Sequence, residues 1–334
     1  MRIKFDDMVE EFKRILIKKG LSEENAYESA KLFAENSLDG VYSHGINRFP
    51  RVISYIDKGY IDVNAKAEKV KGFGALERWD GKRGMGNLNA KIAMDRAIKL
   101  SKEYGIGIVA LGNTNHWMRA GSYGWQAADA GCIGICWTNT MPNMPAWGAK
   151  DRRIGNNPFV MAIPRSNGEH VVIDTAMSQF SYGKIEEYKL RGEELPVVGG
   201  FDTEGRITKD PIEIEKTWRV LPIGFWKGSG MSIGFDLIAT ILSGGFSTSE
   251  IGEKFEDEYG LSQILIAIDP NKFNSTEVSD GIVNRVLADL KKSEPAKENL
   301  KVHYPGERVI SVRKDNLLNG IPVVDEIWER IKSM

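Results

Sequence analysis

Four short apolar runs rich in Val and Ile fall between residues 106 and 176: IGIVALGN, GCIGICWTN, NPFVMAIP and EHVVIDTA. Runs of this length, bounded by Gly, Asn and Pro, are the pattern of strands buried within a sheet. AEKVKGF and ALERWDG, beginning near residue 67, add two short strands, and SQILIAID adds another. Helical patterns interrupt them. NLNAKIAMDRAIKLSKEYG is amphipathic and ends at Gly105, GSYGWQAADAG reads as a helix, and so does MSIGFDLIATIL. Alternation of this kind specifies an α/β core.

The two ends have a different texture. Phe5, Met8, Val9, Phe12, Ile15 and Leu16 recur at three- and four-residue steps, and Gly20 suits the helix end. Ser22 is placed to cap EENAYESAKLFAENSL, and RVISYIDKG makes a third helix. SDGIVNRVLADLKK and VVDEIWERIKSM are helical near the C-terminus, whereas 195–211, LPVVGGFDTEGRITKDP, reads as loop. Residues 67–274 therefore form the α/β domain, and 1–66 with 275–334 form one helical layer against it.

Charge narrows the function. Lys and Arg number 45 against 46 Asp and Glu, a net charge of −1. No basic surface for nucleic acid is implied. MRIKFDDMVEEFKR has charges where a secretory signal needs an apolar run, and MSIGFDLIATIL is too short for a membrane span. Cys132 and Cys136 fit no zinc or redox spacing and read as free buried thiols, in keeping with a reducing cytoplasm.

No G-x-G-x-x-G dinucleotide fingerprint occurs. GFGALE and GMGNLN each lack the third glycine. In WKGSGMSIG, Gly228 and Gly230 precede a helix and follow Lys227. Close backbone approach, free N–H groups and a cation make an anion site, and a turn with a solvated lysine is the equal alternative. GVYSHGINRFPR sets His44 in a connection between helices, with Arg48 at the start of the next. An imidazole beside an arginine and an anionic substrate suits proton donation near neutral pH. His116, in GNTNHWMRAGSYGW, follows a strand, where α/β folds commonly bind ligands. Asn115 and Arg119 add polar reach there, and Trp117 and Trp125 are candidate walls. His170 and His303 read as structural. No metal-ligand spacing and no nucleophile elbow are present, so metal and hydrolytic chemistry are not expected.

Taken together, DGVYSHGINRFPR, NHWMRAGSYGWQAADAGCIGICWTNT, PAWGAKDRRIGNNP and WKGSGMS resemble the malate/L-lactate dehydrogenase-type family of non-Rossmann oxidoreductases. The resemblance runs from the first helix through YPGE at 304–307. It implies a homodimer in which a mixed sheet carries a nicotinamide cofactor, NADH with NADPH as the alternative. The helical layer then serves substrate and dimerisation, and 67–274 the cofactor. It also implies His44 as proton donor, Arg48 as partner of a substrate carboxylate, and His116 as second acid/base or orienting residue. Asn115 joins the substrate side. Thr140, Ile173, Asp174, Thr175, Ala176, Trp226, Lys227, Gly228, Gly306, Glu307 and Arg308 match positions that contact the dinucleotide. The substrate implied is a small anionic keto acid. NHWMR and WKGSG point to a sugar-derived one over malate, lactate, ureidoglycolate or another 2-hydroxy acid. A sugar-acid binding protein without catalysis is the non-enzyme alternative. Asn156 in GNNP stands where relatives often have threonine.

Overall fold

A computed structural model describes residues 1–298 and 300–334. Its centre is a seven-stranded sheet. The strands are β1 (Glu68–Phe73), β2 (Leu76–Asp80), β3 (Ile106–Asn115), β4 (Ile133–Thr138), β5 (Phe159–Ile163), β6 (Val171–Thr175) and β7 (Tyr259–Ile268). Their spatial order is β1-β2-β3-β7-β4-β5-β6. Only β2 and β3 pair in parallel; every other neighbouring pair is antiparallel. The sheet is thus mixed, as the resemblance implied.

The late strand β7 slots between β3 and β4, with Ile264 opposite both Ala110 and Trp137. Buried on both flanks, it needs a continuous apolar run, which the ILIAI of SQILIAI supplies. Because β7 runs antiparallel to β3, its first residue, Tyr259, pairs with the last residue of β3, Asn115. That pairing sets Asp257 and Glu258 at the same end of the sheet as His116.

Helices cover both faces. On one side Gly86–Tyr104 and Gly121–Asp129 bury Ala90, Ala97, Ala127 and both cysteines against Leu111, Val160 and Leu265. On the other, Trp226–Ser243 packs Ala239 over Ala110, Trp137 and Ile264. Gly105 ends the first of these helices in the left-handed region, φ 87°, which is why a glycine closes that run.

The terminal segments build a second core. Phe12, Phe33 and Phe49 pack together, with Phe12 and Phe49 stacked at 4.2 Å, and Trp328 and Ile331 of the last helix join them. Each such fully buried side chain contributes about 1.5–3 kcal/mol. Ser22 caps Glu23–Leu38 by accepting the Asn25 N–H, as its position suggested. Among the described residues no single helix is long and apolar enough to cross a membrane.

Three local readings need correction. Residues 195–211 are not wholly loop: Gly200–Phe201 and Ile207–Thr208 pair as a small hairpin, and a helix starts at Pro211. Helix Glu307–Asn319 was not anticipated, because its apolar spacing is weak and Leu317 and Leu318 stay exposed. The helix after WKGSG begins at Trp226 and contains both glycines in place of following them.

Candidate active site

His44 lies in a one-turn 3-10 helix, Tyr42–His44, leaving helix Glu23–Leu38. Gly45 lets this turn close on that helix: a Cβ there would come within 2.2 Å of Ser37 Oγ. Ser37 in turn accepts the Ile46 N–H, and Asn36 Nδ2 donates to the His44 carbonyl at 3.0 Å. The backbone that carries His44 is therefore fixed from below. His116 is fixed from the other side. Gly86 allows its helix to approach so closely that a Cβ would lie 2.3 Å from the Asn115 and His116 carbonyls. GMGNLN was legible only as an incomplete phosphate motif; its second glycine is instead a packing requirement beside the site.

The two imidazoles meet with ring centroids 5.9 Å apart and 17° between planes. His44 Nδ1 shares a 3.0 Å hydrogen bond with Ser43 Oγ, and His116 Nδ1 accepts the Met118 N–H at 3.0 Å. Among the described residues, Nε2 is thus the free ring nitrogen of both. Burial, then the nearby Arg48 guanidinium, lowers the His44 pKa to about 4, opposed by Asp174. His116 is lowered by burial first, then by Arg48 and His44. Both rings are neutral at pH 7 without ligand, so His44 is not the standing imidazolium that a simple proton donor requires.

Arg48 sits just before helix Phe49–Asp57 and donates to Glu258 Oε2 at 3.2 Å. Burial lowers its pKa, and Glu258 counteracts this. About two helical turns on, Tyr55 accepts from Arg51 Nη2 at 2.7 Å and donates to Asp257 Oδ1 at 2.9 Å. Glu258, absent from the sequence reading, is the carboxylate that Arg48 is paired with here. A separation of 210 positions hid it.

Asn115 is buried, and its Nδ2 donates to the Arg83 and Gly84 carbonyls at 2.7 and 3.0 Å. Its Oδ1 has no partner among the described residues. Arg119 is consumed internally: buried, it bonds Asp39 through Nη1 and Asp174 Oδ2 through Nε at 3.3 Å. Gly121 N–H also donates to Asp174, and Arg313 holds the other oxygen of Asp39 at 2.8 Å. Trp117 is wholly buried in the core, whereas Trp125 lines a cavity. His170 accepts the Arg165 N–H and pairs with Asp129, and His303 pairs with Glu307, consistent with structural roles.

The cavity, about 530 Å³, lies among helices Glu23–Leu38, Gly121–Asp129 and Glu307–Asn319. Asp39, Ser122, Trp125, Asp129, Gly168 and Arg313 are in its wall. It backs onto His44, because Ser122 Oγ donates at 2.8 Å to the same Asn36 that holds the His44 carbonyl. Trp125 Nε1 itself is buried and has no partner among the described residues. Asp174, with Ile173 and Thr175, lies on edge strand β6. Gly306 adjoins β6, where a Cβ would meet the His170 carbonyl and the Val172 nitrogen at 3.1 Å, and its φ is 95°. Glu307 pairs with Lys291, and Arg308 is exposed without an ion-pair partner among the described residues.

Thr140 and the WKG residues fall in another patch. Thr140 N–H donates to Asn157 Oδ1 at 3.1 Å, and its Oγ1 donates to Asn156 Oδ1 at 3.3 Å. The Met177 N–H bonds the Asn156 carbonyl at 2.7 Å, which ties this patch to Ala176 and the end of β6. The asparagine in GNNP therefore organises the Thr140 loop. The free N–H groups expected at the WKGSG helix start are not available. Lys227, Gly228 and Ser229 donate to the carbonyls of Gly224, Ile223 and Phe225. Only the Lys227 charge is left, with Nζ 5.8 Å from the exposed Trp226 ring.

Comparison with known proteins shows likeness along the whole chain. The family described as malate/L-lactate dehydrogenase matches residues 3–332. A 2,3-diketo-L-gulonate reductase of Citrobacter koseri is 48% identical over 334 residues, all of both chains. The solved sulfolactate dehydrogenase from Methanocaldococcus jannaschii is 30% identical with a TM-score of 0.91, covering 100% of this chain and 96% of that one. Malate dehydrogenase from Entamoeba histolytica superposes with a TM-score of 0.94 at 26% identity, with the same coverage.

Proposed function

Since the chain belongs to the malate/L-lactate dehydrogenase family and is an oxidoreductase, we propose that it reduces 2,3-diketo-L-gulonate to 3-dehydro-L-gulonate with a nicotinamide cofactor, NADH or NADPH. The observation that carries the reading is the stacked pair His44 and His116 beside Arg48. Full-length likeness to reductases of that name supports the substrate.

When bound, the nicotinamide supplies the hydride. Everything else falls to the side chains. Arg48 takes the substrate carboxylate, competing with Glu258. A substrate anion on Arg48 cancels the charge that, after burial, does most to keep His44 neutral. Substrate entry and protonation of His44 are then coupled, and Nε2 gives the proton to the carbonyl oxygen that becomes the alcohol. His116, with Nε2 carrying its proton, orients the neighbouring oxygen. Asp174 assists by opposing the depression of His44 while Arg119 holds it in place.

The cavity beside Trp125 suits the dinucleotide, with Ile173–Ala176 and Gly306–Arg308 along its margin. In this reading Thr140 and Trp226–Gly228 complete the cofactor contacts, and Asn115 holds the loop that closes the substrate side. The fold that carries the cofactor is a non-Rossmann one, in keeping with a sheet that has a single parallel pair. The enzyme works as a cytoplasmic homodimer. Exposed Trp226, Ile233, Leu237 and Ile241 recur along one helix, and an apolar face of that kind is suited to a second copy.

The test is a panel of keto acids with NADH and NADPH, followed at the reduced-nicotinamide absorbance band. Diketogulonate is expected to give the highest kcat/KM. Preference for oxaloacetate or pyruvate moves the assignment to a 2-hydroxy-acid dehydrogenase, and no turnover with any of them removes it.

A further inference from the structure

The cavity beside Trp125 has a direction. Ser122, Trp125, Gln126 and Asp129 all line it from helix Gly121–Asp129. Their spacing puts them on one helical face, and seven residues at 1.5 Å rise separate Ser122 from Asp129 by about 10 Å. The Ser122 end is the one nearer the His44 backbone, because Asn36 accepts from Ser122 Oγ and donates to the His44 carbonyl. The Asp129 end continues into a second cavity of about 190 Å³, which shares Asp129 and Gly168 with the first.

Charge changes along this line. The wall of the larger cavity mixes Arg313, Lys91 and Lys314 with Glu35 and Asp39. Arg313 is paired with Asp39, and Lys91 lies 3.4–3.5 Å from Asp95 and Glu28. At the far end the wall carries two carboxylates, Asp129 and Asp280. Its one cation is Arg165, whose guanidinium is occupied by the Glu169 carbonyl and Asn284 Oδ1 at 2.8 and 2.9 Å. Asp280 receives the Ser166 N–H and hydroxyl. Asp129 uses one oxygen on His170 Nε2 at 2.9 Å, and its side chain is 70% exposed to the cleft or solvent.

Resting on the oxidoreductase reading above, we infer that this far end receives the adenosine half of the cofactor, and that Asp129, helped by Asp280, selects NADH over NADPH. A diol ribose donates hydrogen bonds to a carboxylate. A 2′-phosphate brings about two negative charges to a wall where two carboxylates, Asp129 and Asp280, outnumber one guanidinium, Arg165, and like charges repel. Asp129 is a specificity residue in this account, remote from the reacting atoms.

The experiment is titration of the full chain with NADH and with NADPH, read by energy transfer from tryptophan to the reduced nicotinamide. NADH is expected to bind on the order of tenfold more tightly, a modest ratio because Asp129 is exposed to screening. Asp129→Asn keeps the shape and removes the charge, and the NADH-to-NADPH ratio should then fall severalfold, with Asp280→Asn acting in the same direction. A measurement on the unaltered chain stands beside it: 5′-AMP should displace NADH better than 2′,5′-ADP does. NADPH binding as tight as NADH, 2′,5′-ADP as the better displacer, or an unchanged ratio in Asp129→Asn overturns the inference while leaving the oxidoreductase standing. Binding of neither nucleotide overturns both.

Discussion

The His44 and His116 rings lie nearly parallel with centroids 5.9 Å apart. Two imidazoles buried so close resist double protonation, since each charge would face the other in a poorly solvated space beside Arg48. The free site therefore carries neutral rings; in the function proposed above, a proton enters with the anion that occupies Arg48.

Stability should follow pH accordingly. Unfolded, a histidine titrates near 6.5; folded, His44 resists protonation until about 4. Between those values the unfolded chain binds more protons, so the fold is most stable above 6.5 and weakens as pH falls toward 4. His116 acts in the same direction. Melting temperatures of the wild type and His44→Asn across this window should diverge, with the variant showing the shallower loss. Identical slopes would mean that His44 is not buried as described.

Arg48→Met should raise KM for the keto acid by roughly 10–100-fold, the cost of losing a hydrogen bond to a charged group. Arg48→Lys should recover only part, because a point charge replaces a planar fork. Steady-state kinetics with and without a carboxylate on the substrate check this. An unchanged KM would assign Arg48 to Glu258 alone.

How far residues alone reach is visible at this site. The helix punctuation at Ser22 and Gly105 and the Val/Ile strand runs are local signals, and the fold uses them as written. The insertion of β7 between β3 and β4 is not local, since an apolar run carries no label for its neighbours. The same holds for partners. Arg48 and His44 share one short motif, but Glu258 is 210 residues from Arg48 and Arg119 is 80 from Asp39. Arg119 looked like a ligand group and is instead a buried clasp. Gly86 carried a readable peculiarity, a glycine opening a helix, whose cause is the backbone of His116 pressed against it.

Arg119→Met should be strongly destabilising. It strands Asp39, which is buried, and frees Asp174. Removing one partner of a buried ion pair costs about 3–5 kcal/mol. Urea unfolding checks the value; Arg313 still pairs with Asp39, so the lower part of that range is expected. A loss below about 1 kcal/mol would show that Arg119 is dispensable to the clasp.

The glycines of WKGSG should separate cleanly. A Cβ at Gly228 would lie 2.3 Å from the Ile223 carbonyl, whereas Gly230 has open space. Gly228→Ala should lose about 1–3 kcal/mol through backbone displacement. Gly230→Ala should be neutral or gain up to about 1 kcal/mol from helix propensity. Thermal unfolding of the pair decides the matter, and equal effects would contradict the close approach.

The most direct test is single-turnover hydride transfer to diketogulonate by wild type and His44→Asn, with nucleotide binding measured alongside. Loss of a positioned general acid predicts a fall of about 10²–10⁴-fold in the transfer rate while the nucleotide still binds. A variant that transfers hydride at close to the wild-type rate would contradict the account.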